Sequence, residues 1–284
     1  MAERTRDLSD LPTEAANART ADLGSLDARR VVERLLDEER AVAPAVARAA
    51  AAIAELAERA ADAIRAGGRL VYAGAGTSGR LATLDAAECP PTFGIAPDRV
   101  IALMAGGDGA LVRAVEGAED DAEAARDAVR RVELGRNDLL VGVTASGRTP
   151  FVLAAVAAAR AAGAATGLIT CGRGDAVAAD VVVAIDVGPE ALRGSTRLKA
   201  GTATKLALNA LSTAAMVRLG RVRGDLMIDV GLGSAKLRDR ATRIVAELVG
   251  CDREEATARL DAAGGVRAAV ERAEGERGAT APHP

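Results

Sequence analysis

The sequence predicts an α/β fold: a mostly parallel sheet covered by helices on both faces, with further helices at each end. Three observations carry this. Short β-branched apolar runs alternate with longer Ala-rich stretches of helical spacing, the pattern of parallel strands buried on both faces. Two of those runs open into loops rich in Gly and hydroxyl residues that lead directly into helices. Of the 284 residues, 49% are hydrophobic, enough to bury a sizeable core.

The elements follow in order. Residues 1–25 read as an irregular arm. Helical spacing runs from 26 to 66, where Pro44 is expected to separate two helices and Gly67-Gly68 to end the second. Arm and helical hairpin form a first segment, 1–66. A central domain, 67–225, holds the strand candidates 69–74, 99–106, 138–145, 165–171 and 181–187, and a long amphipathic helix at 201–220. A helical region spans 226–272, with helices expected near 235–250 and 253–263, and 273–284 reads as a disordered tail.

Composition removes several function classes. Net charge is -3, with no Trp, one Tyr and two Phe, so neither a basic footprint nor stacking platforms for nucleic acid are present. Cys89, Cys171 and Cys251 are widely spaced, fit no zinc pattern and read as small, buried, reduced side chains. The polar start carries no signal-peptide pattern, and Arg and Glu interrupt the Ala/Val runs, so no membrane span and a cytoplasmic location are expected. The single histidine, His283, falls in the Gly/Ala/Pro tail, where disorder is expected. Chemistry that needs an internal histidine is thereby excluded, and carboxylates, Lys, Arg or hydroxyls must move protons. No metal and no cofactor are expected.

The two loops are Gly74-Ala75-Gly76-Thr77-Ser78-Gly79 and Thr144-Ala145-Ser146-Gly147-Arg148-Thr149-Pro150. Backbone N–H groups at a helix start attract anions, and Ser and Thr add donors with little bulk. Either loop alone reads equally well as an ordinary strand-to-helix turn with a hydroxyl cap. Together they can grip one phosphate, with Thr77, Ser78, Gly79, Thr144, Ser146, Gly147 and Thr149 as its contacts. The first loop fits GxGxxG by letter, but the next acid after a strand, Asp108, lies well beyond the offset of about 20 residues that a dinucleotide site uses.

Glu88 precedes Cys89-Pro90-Pro91, and the prolines are expected to stop the helix and stiffen the turn that carries it. An apolar setting there would help a carboxyl act as an acid. A second acidic group, Val115 to Asp121, reads by itself as a solvated helix start, and the residues alone do not choose between Glu116 and Glu119. Arg148, Glu190, Ser195, Arg197 and Lys199 are possible substrate contacts, with helix capping or solvent exposure the alternative for the charged ones.

The blocks GAGTSGRLATLDAAECPPTFG (74–94), AVEGAED (114–120), ASGRTPFV (145–152) and GPEALRGSTRLKAGTATKLALN (188–209), with the arm TEAANARTADLGSLD (13–27), resemble the N-acetylmuramic acid 6-phosphate etherase family. The resemblance spans roughly 10–265. It implies the sugar isomerase fold, a three-layer α/β/α sandwich that binds phosphosugars, and a homodimer. It also implies removal of D-lactate from C3 of the sugar by elimination and hydration, inside a bacterial cytoplasm. By the same correspondence Glu88 is the acid that protonates lactate and then activates water, and Glu119 is the base at C2. The sequence departs from the family at Thr204, where glutamine is usual, at Ala16, where arginine is usual, and in 229–237, which lacks an expected asparagine. Its C-terminal helical region also reads as shortened. Two alternatives share the fold: a non-catalytic phosphosugar-sensing regulatory protein, which needs the loops but not both glutamates, and an aldose–ketose isomerase, many of which use a histidine.

Overall fold

The computed structural model describes residues 11–172 and 178–279. The chain divides into two compact units, Met1–Ala86 with Asp98–Ala215, and Ala87–Pro97 with Met216–Pro284. His283 lies outside the described residues.

The first unit is built on a five-stranded parallel sheet in the order β2-β1-β3-β4-β5. Its strands are β1 (Leu70–Gly74), β2 (Val100–Met104), β3 (Leu139–Thr144), β4 (Ala165–Thr170) and β5 (Val181–Ala184). All five sequence candidates are present, each shorter than expected at one or both ends. The central strands are buried along their whole length, which is why they read as unbroken apolar runs.

Alternate residues of the sheet meet helices on opposite faces. Before the sheet come α1 (Ala28–Glu39), α2 (Val42–Arg48) and α3 (Ala50–Arg65). Around it are α4 (Gly76–Phe93), α5 (Gly109–Val112), α6 (Ala122–Arg131), α7 (Pro150–Ala161) and α8 (Lys199–Arg218). Gly142 faces Val152 and Val156 of α7, whereas Gly167, paired with Val141 across β3 and β4, faces Leu56 of α3. Val71, Ala73 and Leu140 pack with Ala125 and Val129 of α6 and with Phe151 and Ala155 of α7. On the other face, buried Tyr72 of β1 donates to Asp85 Oδ2 on α4 at 3.0 Å, and Ser212 of α8 donates to Asp85 Oδ1 at 3.0 Å. One carboxylate thus joins a strand and two helices. Burial pushes the Asp85 carboxyl up from the ordinary range, and the two hydroxyls offset part of that.

Three expectations need correction. Pro44 does not divide two helices: it sits in the first turn of α2, where a missing N–H costs nothing, and three helices fill the segment. Pro90 and Pro91 do not stop α4 but lie inside it, and the helix runs on to Phe93. Gly94, at φ +60, ends it and donates its N–H to the Pro90 carbonyl at 2.9 Å. The tail expected to be disordered from 273 is helical as far as Ala279.

In the second unit a short antiparallel ribbon, β6 (Val222–Arg223) and β7 (Leu226–Met227), precedes α9 (Ala235–Val249), α10 (Arg253–Ala263) and α11 (Val266–Ala279). Its core is aliphatic: Ile228, Val230, Ile244, Val245, Leu260 and Val270 are buried together. Gly250 and Gly264, both at positive φ, end α9 and α10. No helix among the described residues is long and apolar enough to cross a membrane.

Candidate phosphosugar site

The strand order places the site. Leaving β1, the chain passes to one side for β2 and returns to the other side for β3. The loops after β1 and β3 therefore diverge and leave a crevice at the carboxyl ends of the strands. A cavity of about 490 Å³ lies there, within the range of small-ligand sites.

The β1–α4 loop supplies Gly76, Thr77 and Ser78 to its wall. The first-turn N–H groups of α4 have no partner within the helix, so they are available to an anion. The helix start is held tightly on the strand: a Cβ on Gly79 would meet the Gly74 carbonyl oxygen at 2.6 Å. Gly79 therefore serves the site by close packing and does not itself line the cavity.

The β3–α7 loop supplies Thr144, Ser146, Arg148 and Thr149. Its hydroxyls form one cluster: Thr144 Oγ1 is 2.8 Å from Thr149 Oγ1 and 3.3 Å from Ser146 Oγ, which accepts from the Arg148 N–H at 3.1 Å. Thr149 is the residue before α7, yet its side chain does not cap the helix, so its hydroxyl points to a role other than capping. Gly147, at φ +71, turns the loop but is not on the wall.

Glu119 lines the cavity and Glu116 does not. It sits in a 3-10 turn, Ala118–Asp120, entered through Gly117 at φ +73, and its side chain is exposed. Glu88 is not on this wall. It lies in the last third of α4, where it is exposed.

The third polar cluster divides between the cavity and the core. Gly194 and Thr196 reach the cavity, but Ser195, Arg197, Lys199 and Glu190 do not line it. Glu190 is fully buried and accepts from the backbone N–H groups of Lys199 (3.0 Å) and Ala200 (2.9 Å), capping the start of α8. Burial pushes its carboxyl up, against the pull of those two N–H groups. Buried Lys199 donates to Glu38 Oε2 of α1 at 2.9 Å, and Asn17 donates to the same oxygen at 2.8 Å. Burial would raise the Glu38 carboxyl, but the bonds from Lys199 and Asn17 outweigh it and hold the carboxyl low. These side chains lock the arm to α1 and α8. Arg197 is exposed.

The site also holds residues that the sequence did not single out. Thr13 and Glu14 of the arm line the cavity, as does Arg80, whose Nε donates to the Leu111 carbonyl at 3.1 Å. The TE at the head of the arm block was the available signal for the first two. Among the described residues no cluster of His, Cys, Asp and Glu has the geometry to hold a metal. Cys89 and Cys171 are buried and Cys251 is half-buried; burial pushes the Cys171 thiol up to about 12, so it is inert.

A parallel sheet between helical layers, with hydroxyl-rich loops meeting at its switch point, is the sugar isomerase fold. A phosphoheptose isomerase from Francisella tularensis superposes with a TM-score of 0.52 at 18% identity, over 67% of this chain and 98% of its own. Residues 50–160 match the glucokinase regulatory protein N-terminal SIS domain. The chain belongs to the N-acetylmuramic acid 6-phosphate etherase family. It is 51% identical to the N-acetylmuramic acid 6-phosphate etherase of Mycolicibacterium smegmatis, over 91% of this chain and 88% of that one. It is 48% identical to that of Geobacillus thermodenitrificans, over 88% and 85%.

Proposed function

We propose that this chain is a carbon–oxygen lyase that cleaves the lactyl ether of N-acetylmuramic acid 6-phosphate, giving N-acetylglucosamine 6-phosphate and D-lactate. The observation that carries the reading is the joining of a carboxylate, Glu119, and two phosphate-type loops on one cavity wall. Membership of the etherase family supplies the substrate.

An alkoxide is a poor leaving group, so direct ether cleavage is slow. With the sugar open, the C1 aldehyde acidifies the proton on C2. Glu119 takes that proton, the C3–O bond breaks, and an acid protonates the departing lactate oxygen. Water then adds across the resulting double bond: its oxygen bonds to C3 and a proton returns to C2. Glu88 is the acid for lactate and the base for water in this reading. The phosphate is held by Ser78, Ser146 and Thr149 with the first-turn N–H groups of α4, so that C2 and C3 are positioned against the carboxylates.

Helix rise separates Gly76 from Glu88 by roughly 18 Å, at about 1.5 Å per residue. That spacing supports a homodimer in which Glu88 serves the cavity of a second copy. Exposed Leu84 on α4 and Leu206 on α8 offer apolar surface for such a contact. The setting this substrate implies is amino-sugar recycling in a bacterial cytoplasm. A pure phosphosugar sensor needs the two loops but not a pair of working carboxylates for proton transfer, and family membership favours the enzyme.

The test is lactate release from N-acetylmuramic acid 6-phosphate in heavy-oxygen water. Wild type is expected to release lactate and to place solvent oxygen at C3. Glu119→Gln and Glu88→Gln are each expected to lose about 10²- to 10⁴-fold in rate while still binding N-acetylglucosamine 6-phosphate. Wild-type protein that binds the phosphosugar and releases no lactate would overturn the reaction.

A further inference from the structure

Glu14 is a carboxylate without a visible purpose in the fold. It lines the cavity and is half-buried, and its carboxylate has no hydrogen bond or ion pair among the described residues. Removing part of a carboxylate's hydration without a partner costs free energy, so such a group is retained where a ligand supplies the partner.

Its position is fixed by the surrounding backbone. The preceding residue, Thr13, is buried, and its carbonyl accepts from the Gly194 N–H at 3.1 Å. Three residues later Asn17 anchors the arm to Glu38 at 2.8 Å and to the carbonyls of Pro189 and Glu190 at 3.4 Å each. Gly194 itself, at φ +73, leaves the space the carboxylate occupies: a Cβ there would stand 2.8 Å from Glu14 Oε2. The arm is thus a strap, pinned on both sides of Glu14, that holds an acceptor at the cavity.

Chemistry then sorts the wall into two parts. The loops after β1 and β3 offer donors and suit phosphate. A carboxylate only accepts, and it repels other anions, so it suits neither the phosphate nor the lactyl carboxylate. What remains on the substrate is its sugar hydroxyls and its amide N–H. We propose that Glu14 is a specificity-determining residue that accepts a hydrogen bond from a sugar hydroxyl or the acetamido N–H, reading the sugar while the loops hold the phosphate. This rests on the reading of the cavity as a phosphosugar site.

The experiment compares wild type with Glu14→Gln and Glu14→Asp by calorimetry, using N-acetylglucosamine 6-phosphate, glucose 6-phosphate and inorganic phosphate. Glu14→Gln is expected to bind N-acetylglucosamine 6-phosphate about tenfold more weakly and inorganic phosphate within about twofold of wild type, with KM for the substrate raised more than kcat is lowered. Glu14→Asp should recover part of the loss. Glucose 6-phosphate separates the donors: a loss confined to the N-acetyl sugar assigns the amide N–H, and an equal loss for both sugars assigns a hydroxyl. Unchanged sugar affinity overturns the proposal. So does an equal loss for sugar phosphate and inorganic phosphate, which would make Glu14 a prop for the loops. If wild type released no lactate but kept the Glu14-dependent gap between sugar and phosphate, the reaction would fall and this assignment would stand.

Discussion

At the residue scale, Asp85 shows how a buried carboxylate can hold a fold together and still burden it. Its two hydroxyl partners are well placed, yet burial raises its carboxyl, so ionisation is harder in the folded chain than in the unfolded one. The contribution to stability is then fully present below the unfolded value of about 3.9 and is lost as pH rises through the raised folded value. Asp85→Asn removes the titration and keeps an acceptor for one hydroxyl. Denaturation in urea across pH 4 to 8 should show a flatter profile for the variant than for wild type. Parallel profiles would mean that Asp85 ionises as freely inside as outside.

At the element scale, much was legible and the failures share a cause. All five strands of the parallel sheet were readable because burial on both faces writes an unbroken apolar run. α9 and α10 were readable from the Gly250 and Asp252 that divide them. Where reading failed, tertiary contact overrode a local signal. Pro90 and Pro91 lie within α4, which continues to its left-handed Gly94. The tail beyond 272 reads as polar, but Val266, Ala269, Val270 and Ala273 bury one stripe of α11. At the site, the loops and Glu119 were legible through motif. Glu190 and Lys199 stayed open between two roles because one sequence cannot tell a charge that caps a buried helix start from one that meets substrate. Lys199 tests its structural role. Lys199→Met leaves Glu38 buried opposite an apolar chain and should destabilise the protein by about 3–5 kcal/mol in equilibrium unfolding. A second change, Glu38→Gln, should restore much of that loss. Independent, additive effects of the two changes would contradict the pairing.

At the scale of the whole molecule, the two proposed carboxylates would give the proposed homodimer a kinetic signature. Glu88→Gln and Glu119→Gln preparations should each be nearly inactive. Mixed and allowed to exchange subunits, they form heterodimers in which one of the two sites has both carboxylates. Activity should recover to about a quarter of wild type if Glu88 acts on the neighbouring copy. No recovery, with exchange verified by mass, would place both glutamates on one chain's own cavity. Sedimentation at falling concentration gives the companion measurement, since activity should fall as dimers dissociate.

Tyr72 gives the molecule an optical consequence. The chain has no Trp and one Tyr, so its intrinsic emission comes from a single ring at the centre of β1. That ring's hydroxyl is bonded to a carboxylate, an arrangement that drains the excited state by proton transfer, so the native protein should be dim. Unfolding of the sheet should brighten it. The helical unit of α9, α10 and α11 carries no tyrosine, so its melting should leave the emission unchanged while circular dichroism falls. Two light signals from the unmodified protein would then tell whether its two halves come apart together or one at a time.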